Sequence, residues 1–251
     1  MADLTLKELI LQIELKLATD LVKLDFGPKV EYVYNPLEYA VDVHSRYLDL
    51  ACSGRKKALF LGMNPGPWGM MQNGVPFGES TSVKEFLKLT GVIHRPDNEH
   101  PQRPVLGLDC KRREVSGKRF WSLVELLGDG SPHDFFRNCT VHNYFPLCLL
   151  SGKGKNVTPP ELKTAVQKEI NEMCDQSLVN VISLLDIEIV IAVGRFAEKR
   201  AQIIKERFQL PIRVCYISHP SPRNPESNKN WLLSTKDLLL NKYGLLKLFS
   251  P

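Results

Sequence analysis

At 251 residues the chain has room for one large domain with a sizeable core or for two small ones. Its 43% hydrophobic and 24% charged residues suit an ordinary globular protein, no apolar run reaches membrane-spanning length, and the net charge of +5 leans towards a polyanionic partner. The six cysteines (Cys52, Cys110, Cys139, Cys148, Cys174 and Cys215) are scattered without a C-x-x-C pair, which argues against a zinc ribbon, an iron–sulfur cluster or a redox site and points to reduced thiols packed as small hydrophobes.

The chain starts Met1-Ala2-Asp3-Leu4, acidic before it is apolar, without the pattern of a signal peptide, so an intracellular location is expected. Thr5-x-x-Glu8 is a capping box opening an apolar-periodic helix to about Leu24. Asn35-Pro36 starts a second helix, with Asn as cap and Pro at the first helical position, ending before Gly54. Four short apolar runs then read as buried strands: Ala58–Met63, Thr140–Asn143, Ile187–Val193 and Ile212–Ile217. Between them lie helical segments at Val83–Leu89 behind a Ser82-x-x-Glu85 capping box, Phe120–Leu127, Thr158–Leu185 with its own Thr158-x-x-Glu161 box, and Phe196–Phe208. A last amphipathic helix spans Asn230–Lys242 and stops at Gly244. Strands alternating with helices predict a parallel sheet covered on both faces, so the fold class is α/β. No repeat or linker divides the chain. We expect a single domain over 1–251, with helices in 1–56 packed on a core of 57–243.

Ligands of open parallel sheets collect at the carboxyl ends of the strands. The first strand there runs into Gly62-Met63-Asn64-Pro65-Gly66-Pro67-Trp68-Gly69-Met70, where three glycines and two prolines in nine residues specify a rigid loop that a ligand can approach closely. It fits neither the phosphate-loop nor the dinucleotide fingerprint. The second strand ends in Val141-His142-Asn143-Tyr144-Phe145-Pro146, the third in Gly194-Arg195-Phe196, and the fourth in Ser218-His219-Pro220. His142 alternates with Asn143 and is expected to point away from it. His44, His94, His100 and His133 lack partners at metal spacing and read as surface or packing residues. Arg195 fits either DNA contact or a helix cap, and Trp68 either braces the loop or touches the ligand.

Asn64-Pro65-Gly66-Pro67, then Gly74-Val75-Pro76-Phe77-Gly78-Glu79, Asn143, and His219-Pro220-Ser221-Pro222-Arg223-Asn224-Pro225 together resemble the single-strand-selective monofunctional uracil-DNA glycosylase family. The resemblance covers about Lys57 to Tyr243, with one departure, Trp68, where the family often has Phe. It implies a three-layer α/β/α sandwich around a four-stranded parallel sheet. It also implies hydrolysis of the glycosidic bond of uracil and 5-substituted uracils such as 5-hydroxymethyluracil, in single- and double-stranded DNA, leaving an abasic site without strand cleavage. By the same resemblance Asn64 orients the attacking water and His219 stabilises the departing base. Asn143 reads uracil, Phe77 stacks on it, and Gly66 and Met70 line the edge around C5, where a displaceable water admits hydroxymethyl and disfavours thymine. Pro220, Ser221, Pro222, Arg223, Asn224 and Pro225 lie in a wedge, Pro220–Asn230, that enters the duplex.

The implied partners are DNA and its abasic product, with no cofactor and no metal, for a monomer in the nucleus that has no membrane contact. The basic groups Lys111-Arg112-Arg113, Lys118-Arg119, Lys153 and Lys155 are candidate phosphate contacts, and no lysine falls in the motifs as a Schiff-base nucleophile. The alternative is a non-catalytic binder of abasic or damaged DNA on the same scaffold. A zinc deaminase would need H-x-E with P-C-x-x-C, which is absent.

Overall fold

The computed structural model describes residues 4–249; Met1-Ala2-Asp3 of the N-terminal reading lie outside them. Helix α1 (Leu6–Leu21) opens on the Thr5/Glu8 capping box, with both reciprocal bonds made. After β1 (Tyr32–Tyr34), the expected second helix is two, α2 (Pro36–Tyr39) and α3 (Val41–Ala51), broken at Ala40 (φ −117°). Asn35 stands at the first cap but its side chain makes no cap bond. Strand β2 (Ala58–Gly62) leads to α4 (Met70–Asn73), α5 (Ser80–Glu85), α6 (Val115–Leu127) and α7 (Pro132–Asn138). Then come β3 (Cys139–Asn143), β4 (Cys148–Leu150), β5 (Asn156–Val157), α8 (Thr164–Leu185), β6 (Ile189–Val193), α9 (Arg195–Arg207) and β7 (Arg213–Ile217). The chain closes with α10 (Trp231–Asp237), a π-helical turn Leu238–Lys242, and α11 (Leu246–Phe249).

Two capping expectations are corrected. Helix α5 is capped by Glu79, whose carboxylate accepts from Ser82 N–H, so Ser82 is the partner rather than the cap. The Thr158/Glu161 box closes a 3₁₀ turn, Pro159–Glu161, and α8 starts only at Thr164.

The four expected strands form one parallel sheet in the order β3-β2-β6-β7. Every residue of β2 is buried, so both faces of the sheet are covered, since successive side chains point to opposite faces. A second, antiparallel sheet, β1-β4-β5, was not foreseen. Its strands of two or three residues are too short to show a period. One apolar cluster runs from Ile10 of α1 through Phe60 and Val190 to Leu248. All six cysteines are free and buried. No helix among the described residues is long and apolar enough to cross a membrane.

Helix α1 also contributes charge to the interior. Glu14 Oε2 lies 2.7 Å from His44 Nε2 and Oε1 lies 3.1 Å from His142 Nδ1. His44 Nδ1 in turn donates to Gly74 O at 2.7 Å. His142 therefore does face away from Asn143, and His44 is a core residue. Burial raises the Glu14 carboxyl, but the His44 charge and hydrogen bonds to both imidazoles outweigh it and hold the group well below 4.5. Burial lowers His44, and Glu14 more than reverses this, so its value is raised above 6.5.

A lowered carboxyl stabilises the fold above its ordinary value and loses that contribution as the pH falls. A raised imidazole stabilises below its ordinary value and loses the contribution as the pH rises. The pair is therefore worth most between pH 4.5 and 6.5. Glu14→Ala strands two buried imidazoles and is expected to cost about 3–5 kcal/mol. A urea midpoint measured at pH 6 checks it, and a loss under about 1 kcal/mol would dismiss the ion pair as a support.

Candidate active site

The carboxyl ends of β2, β3 and β7 open onto a cavity of about 420 Å³. Asn64, Gly66, Met70, Phe77, Asn143 and His219, expected to act together, all line it. Of the wedge residues, Ser221 and Arg223 line it too. Pro222 and Pro225 are exposed, whereas Pro220 is buried, its carbonyl accepting from Arg119 Nη1 at 2.9 Å.

Parallel pairing sets Gly62 opposite Asn143. A Cβ at Gly62 would overlap Asn143 Oδ1 and lie 2.9 Å from the Phe77 ring. Glycine is therefore what lets the Asn143 amide and the Phe77 ring share the pocket. Asn143 is 6% exposed, and its Nδ2 donates, among the described residues, to Met70 Sδ at 3.2 Å. Thioether sulfur is a weak acceptor, so that N–H exchanges easily for a ligand oxygen.

Past β2, the loop is closed by Gly69 and Met71 N–H donating to Gly66 O. Gln72, fully buried, donates to Pro67 O at 2.9 Å and Pro104 O at 3.1 Å and accepts from Leu106 N–H. Asn64 is half-buried, and its Nδ2 donates to Pro65 O at 3.0 Å. With the amide nitrogen so engaged, Oδ1 is the acceptor left for a small ligand such as water. Asn156 Oδ1 stands 3.5 Å from the same nitrogen.

Phe77 sits in the left-handed region (φ 54°), a strained conformation for an aromatic residue. Two contacts hold it there. Phe120 stacks on one face of its ring at 4.2 Å, and Trp121 Nε1 donates to its carbonyl at 3.0 Å. The ring also lines the cavity.

His219 accepts a hydrogen bond at Nδ1 from Ser221 N–H, 3.1 Å, which fixes the proton on Nε2. Burial lowers its value to about 4, so the imidazole is neutral at pH 7 and offers one N–H. The segment beyond it is braced: Asn224 Nδ2 and Ser227 Oγ both donate to His219 O, and Arg119 bonds Pro220 O and Asn228 Oδ1. Arg119 is thus a brace for the wedge. Arg195 lies 3.9 Å over the Tyr216 ring and pairs with Glu198 at 2.8 Å, outside the cavity lining.

Several lining residues escaped the sequence motifs: Arg103, Glu114, Ser116 and Asn156 among them. Trp68 lines the cavity with Arg103 and Arg112 over its ring, at 5.1 and 5.4 Å. Lys153 and Lys155 are exposed at the cavity wall, Lys155 within 3.7 Å of Glu161. The local signal for Glu114, one acid straight after Lys111-Arg112-Arg113, carried no meaning without the fold. Among the described residues no group of three or more His, Cys, Asp or Glu side chains is placed to hold a metal ion.

Residues 50–238 match the model of the Uracil DNA glycosylase superfamily. The chain is 46% identical over 246 residues to a single-strand selective monofunctional uracil DNA glycosylase of Bos taurus, covering 98% of this chain and 90% of that one. It is 43% identical to the proteins of that name from Rattus norvegicus and Mus musculus, covering 98% of this chain and 88% of each. The crystal structure of Pedobacter heparinus SMUG2 shares the fold, with a TM-score of 0.57 at 15% identity over 94% of this chain and 93% of that one.

Proposed function

This chain belongs to the uracil DNA glycosylase superfamily, as one of its single-strand-selective monofunctional members, and from that premise we propose that the cavity is where a uracil flipped out of DNA is cut from its sugar. The enzyme is a monofunctional uracil-DNA glycosylase, a hydrolase of N-glycosyl bonds. One observation carries the site assignment: a water acceptor, an amide and a neutral imidazole donor, from three separate strand ends, meet in one cavity.

The base enters over Phe77, whose other face is backed by Phe120, and stacking contributes about 1–3 kcal/mol towards the cost of flipping. Asn143 gives its N–H to uracil O4, releasing Met70, and accepts from N3–H. Cytosine presents the reverse pattern and leaves both groups unpaired. As the C1′–N1 bond breaks, its electron pair moves onto the base and charge grows on O2, where His219 Nε2–H donates. Asn64 Oδ1 accepts from the water that attacks C1′. An amide takes no proton at neutral pH, so about 10²–10⁴ in rate is forgone for want of a base, and turnover is slow.

The proposed substrates are uracil and 5-substituted uracils such as 5-hydroxymethyluracil, because Gly66 presents no side chain at the C5 wall. Arg103, Lys153, Lys155 and Arg223 give the cavity lining the positive charge that either single- or double-stranded DNA requires. The enzyme acts as a monomer in the nucleus, a location that imaging a tagged chain checks. The function is tested by free-base release from uracil-containing oligonucleotides in both strand contexts, with EDTA present. Free base is expected, with strand breaks only after alkali. Undiminished release by the Asn64→Ala, His219→Leu double variant would overturn the site.

A further inference from the structure

Glu114 is the one acidic residue among the described residues lining a cavity that otherwise carries Arg103, Lys153, Lys155 and Arg223. A carboxylate there opposes phosphate binding, so its presence calls for a role. It caps α6, with Oε2 accepting from Gly117 N–H at 2.6 Å. Serine, threonine or aspartate caps a helix as well with a shorter side chain. The length of glutamate does something else: it carries the carboxyl beneath the Gly66–Gly69 loop.

The carboxyl lies against both glycines of the loop, in ordinary contact range of Gly66 and tight against Gly69. A Cβ on Gly66 would stand 3.7 Å from Glu114 Oε1, and one on Gly69 would stand 3.3 Å from Oε2. Ser116 lines the same cavity. Burial pushes the carboxyl up to about 7 against the hydrogen bonds from Gly117 and Ser116, so near neutrality both its acid and its anionic forms are present. The group can then donate to, or accept from, a neutral polar partner.

We propose that Glu114 determines specificity by completing the C5 wall of the base pocket, its Oε1 hydrogen-bonding the hydroxyl of a 5-hydroxyalkyl uracil. This rests on the reading, proposed above, that Gly66 and Met70 face C5. A hydroxymethyl group satisfies the carboxyl. The methyl of thymine displaces whatever water solvates it and returns no hydrogen bond, and a desolvated, unpaired polar group is costly. Uracil leaves the water in place. One carboxyl thus sets the order in which C5 substituents are accepted.

The test is single-turnover base release from oligonucleotides carrying uracil, 5-hydroxymethyluracil, thymine or 5-ethyluracil, the last a near-isostere of hydroxymethyl without its hydroxyl. The intact protein is expected to release 5-hydroxymethyluracil at least about tenfold faster than 5-ethyluracil, on the scale of one hydrogen bond to a carboxyl. Glu114→Ser, which keeps a capping oxygen, is expected to bring that ratio to within about twofold of unity and to raise thymine release relative to uracil. Equal release of the two isosteres by the intact protein overturns the proposal even if no variant folds. So does a Glu114→Ser enzyme that slows on all four bases alike, which would make Glu114 a cap and nothing more. Gly66→Ala separates the proposal from its premise. If that variant leaves the preference between uracil and 5-substituted uracils unchanged, the C5 assignment fails; if it alters the preference while Glu114→Ser does not, only the role of Glu114 fails.

Discussion

His219→Leu is expected to slow single-turnover release of uracil by about 10²–10³-fold, the cost of removing one donor aimed at a developing anion. Leucine fills a similar volume without an N–H, so the loss reports the hydrogen bond more than the packing. The pH dependence carries a second signature. The imidazole ordinarily titrates near 6.5 but is lowered to about 4 by burial, and protonating Nδ1 also breaks its bond from Ser221 N–H. Donation from Nε2 to a base needs only the neutral form, which dominates from about pH 5 upward. The intact enzyme is therefore expected to show no inflection from His219 between pH 6 and 8. An inflection near 7 belongs to Glu114 and should vanish in Glu114→Ser while surviving in His219→Leu. A His219→Leu rate within tenfold of the intact enzyme would assign the leaving-group role elsewhere.

Gly62→Ala is expected to lower base release by about 10²-fold, the scale of displacing reacting groups by about 1 Å. The added methyl overlaps Asn143 Oδ1 and meets the Phe77 ring at 2.9 Å. Asn143 is held by a parallel strand and Phe77 by Phe120 and Trp121, so neither side chain has an easy retreat. The stability cost is expected to be about 1–3 kcal/mol, as for other overpacked positions. Gly54→Ala is the control, since nothing lies within 4 Å of a Cβ there and its backbone is not left-handed. Circular dichroism and a urea midpoint separate a damaged pocket from a lost fold. Base release by Gly62→Ala at the Gly54→Ala rate would show that the pocket tolerates a side chain at this point.

Much of this was legible in the chain itself. Strands β2 and β6 are continuous apolar runs, because a strand covered on both faces has no polar side to interrupt it, whereas β3 carries Thr140, His142 and Asn143 and the edge strand β7 begins at the exposed Arg213. The boundaries shifted by one or two residues, as strand ends do when the pairing of neighbours decides where the ladder stops. Helix starts were less legible. The start of α6 was hidden because Val115–Arg119 has no apolar period, and only the Glu114–Gly117 bond marks it. The antiparallel sheet was invisible, although through Asn156 it reaches the cavity and the Asn64 side chain.

The motif residues themselves sat on separate strand ends, and the family resemblance of those motifs named them. Asn64 and His219 each follow a strand and Asn143 ends one, and all parallel strands end on the same edge, so connectivity alone brings them together. That much the sequence determined, along with the rigidity of the Gly62–Met70 loop. The protonation and tautomer of His219 were decided only by the folded chain, because they depend on burial and on the Ser221 amide. Tertiary packing likewise decided the left-handed Phe77, the bracing duty of Arg119, the Glu14 ion pair and the presence of Glu114 in the pocket. Strand order and apolar period are local properties written along the backbone. Electrostatics and steric exclusion depend on distances between residues far apart in the chain, and those exist only once the sheet and its helices have closed around the site.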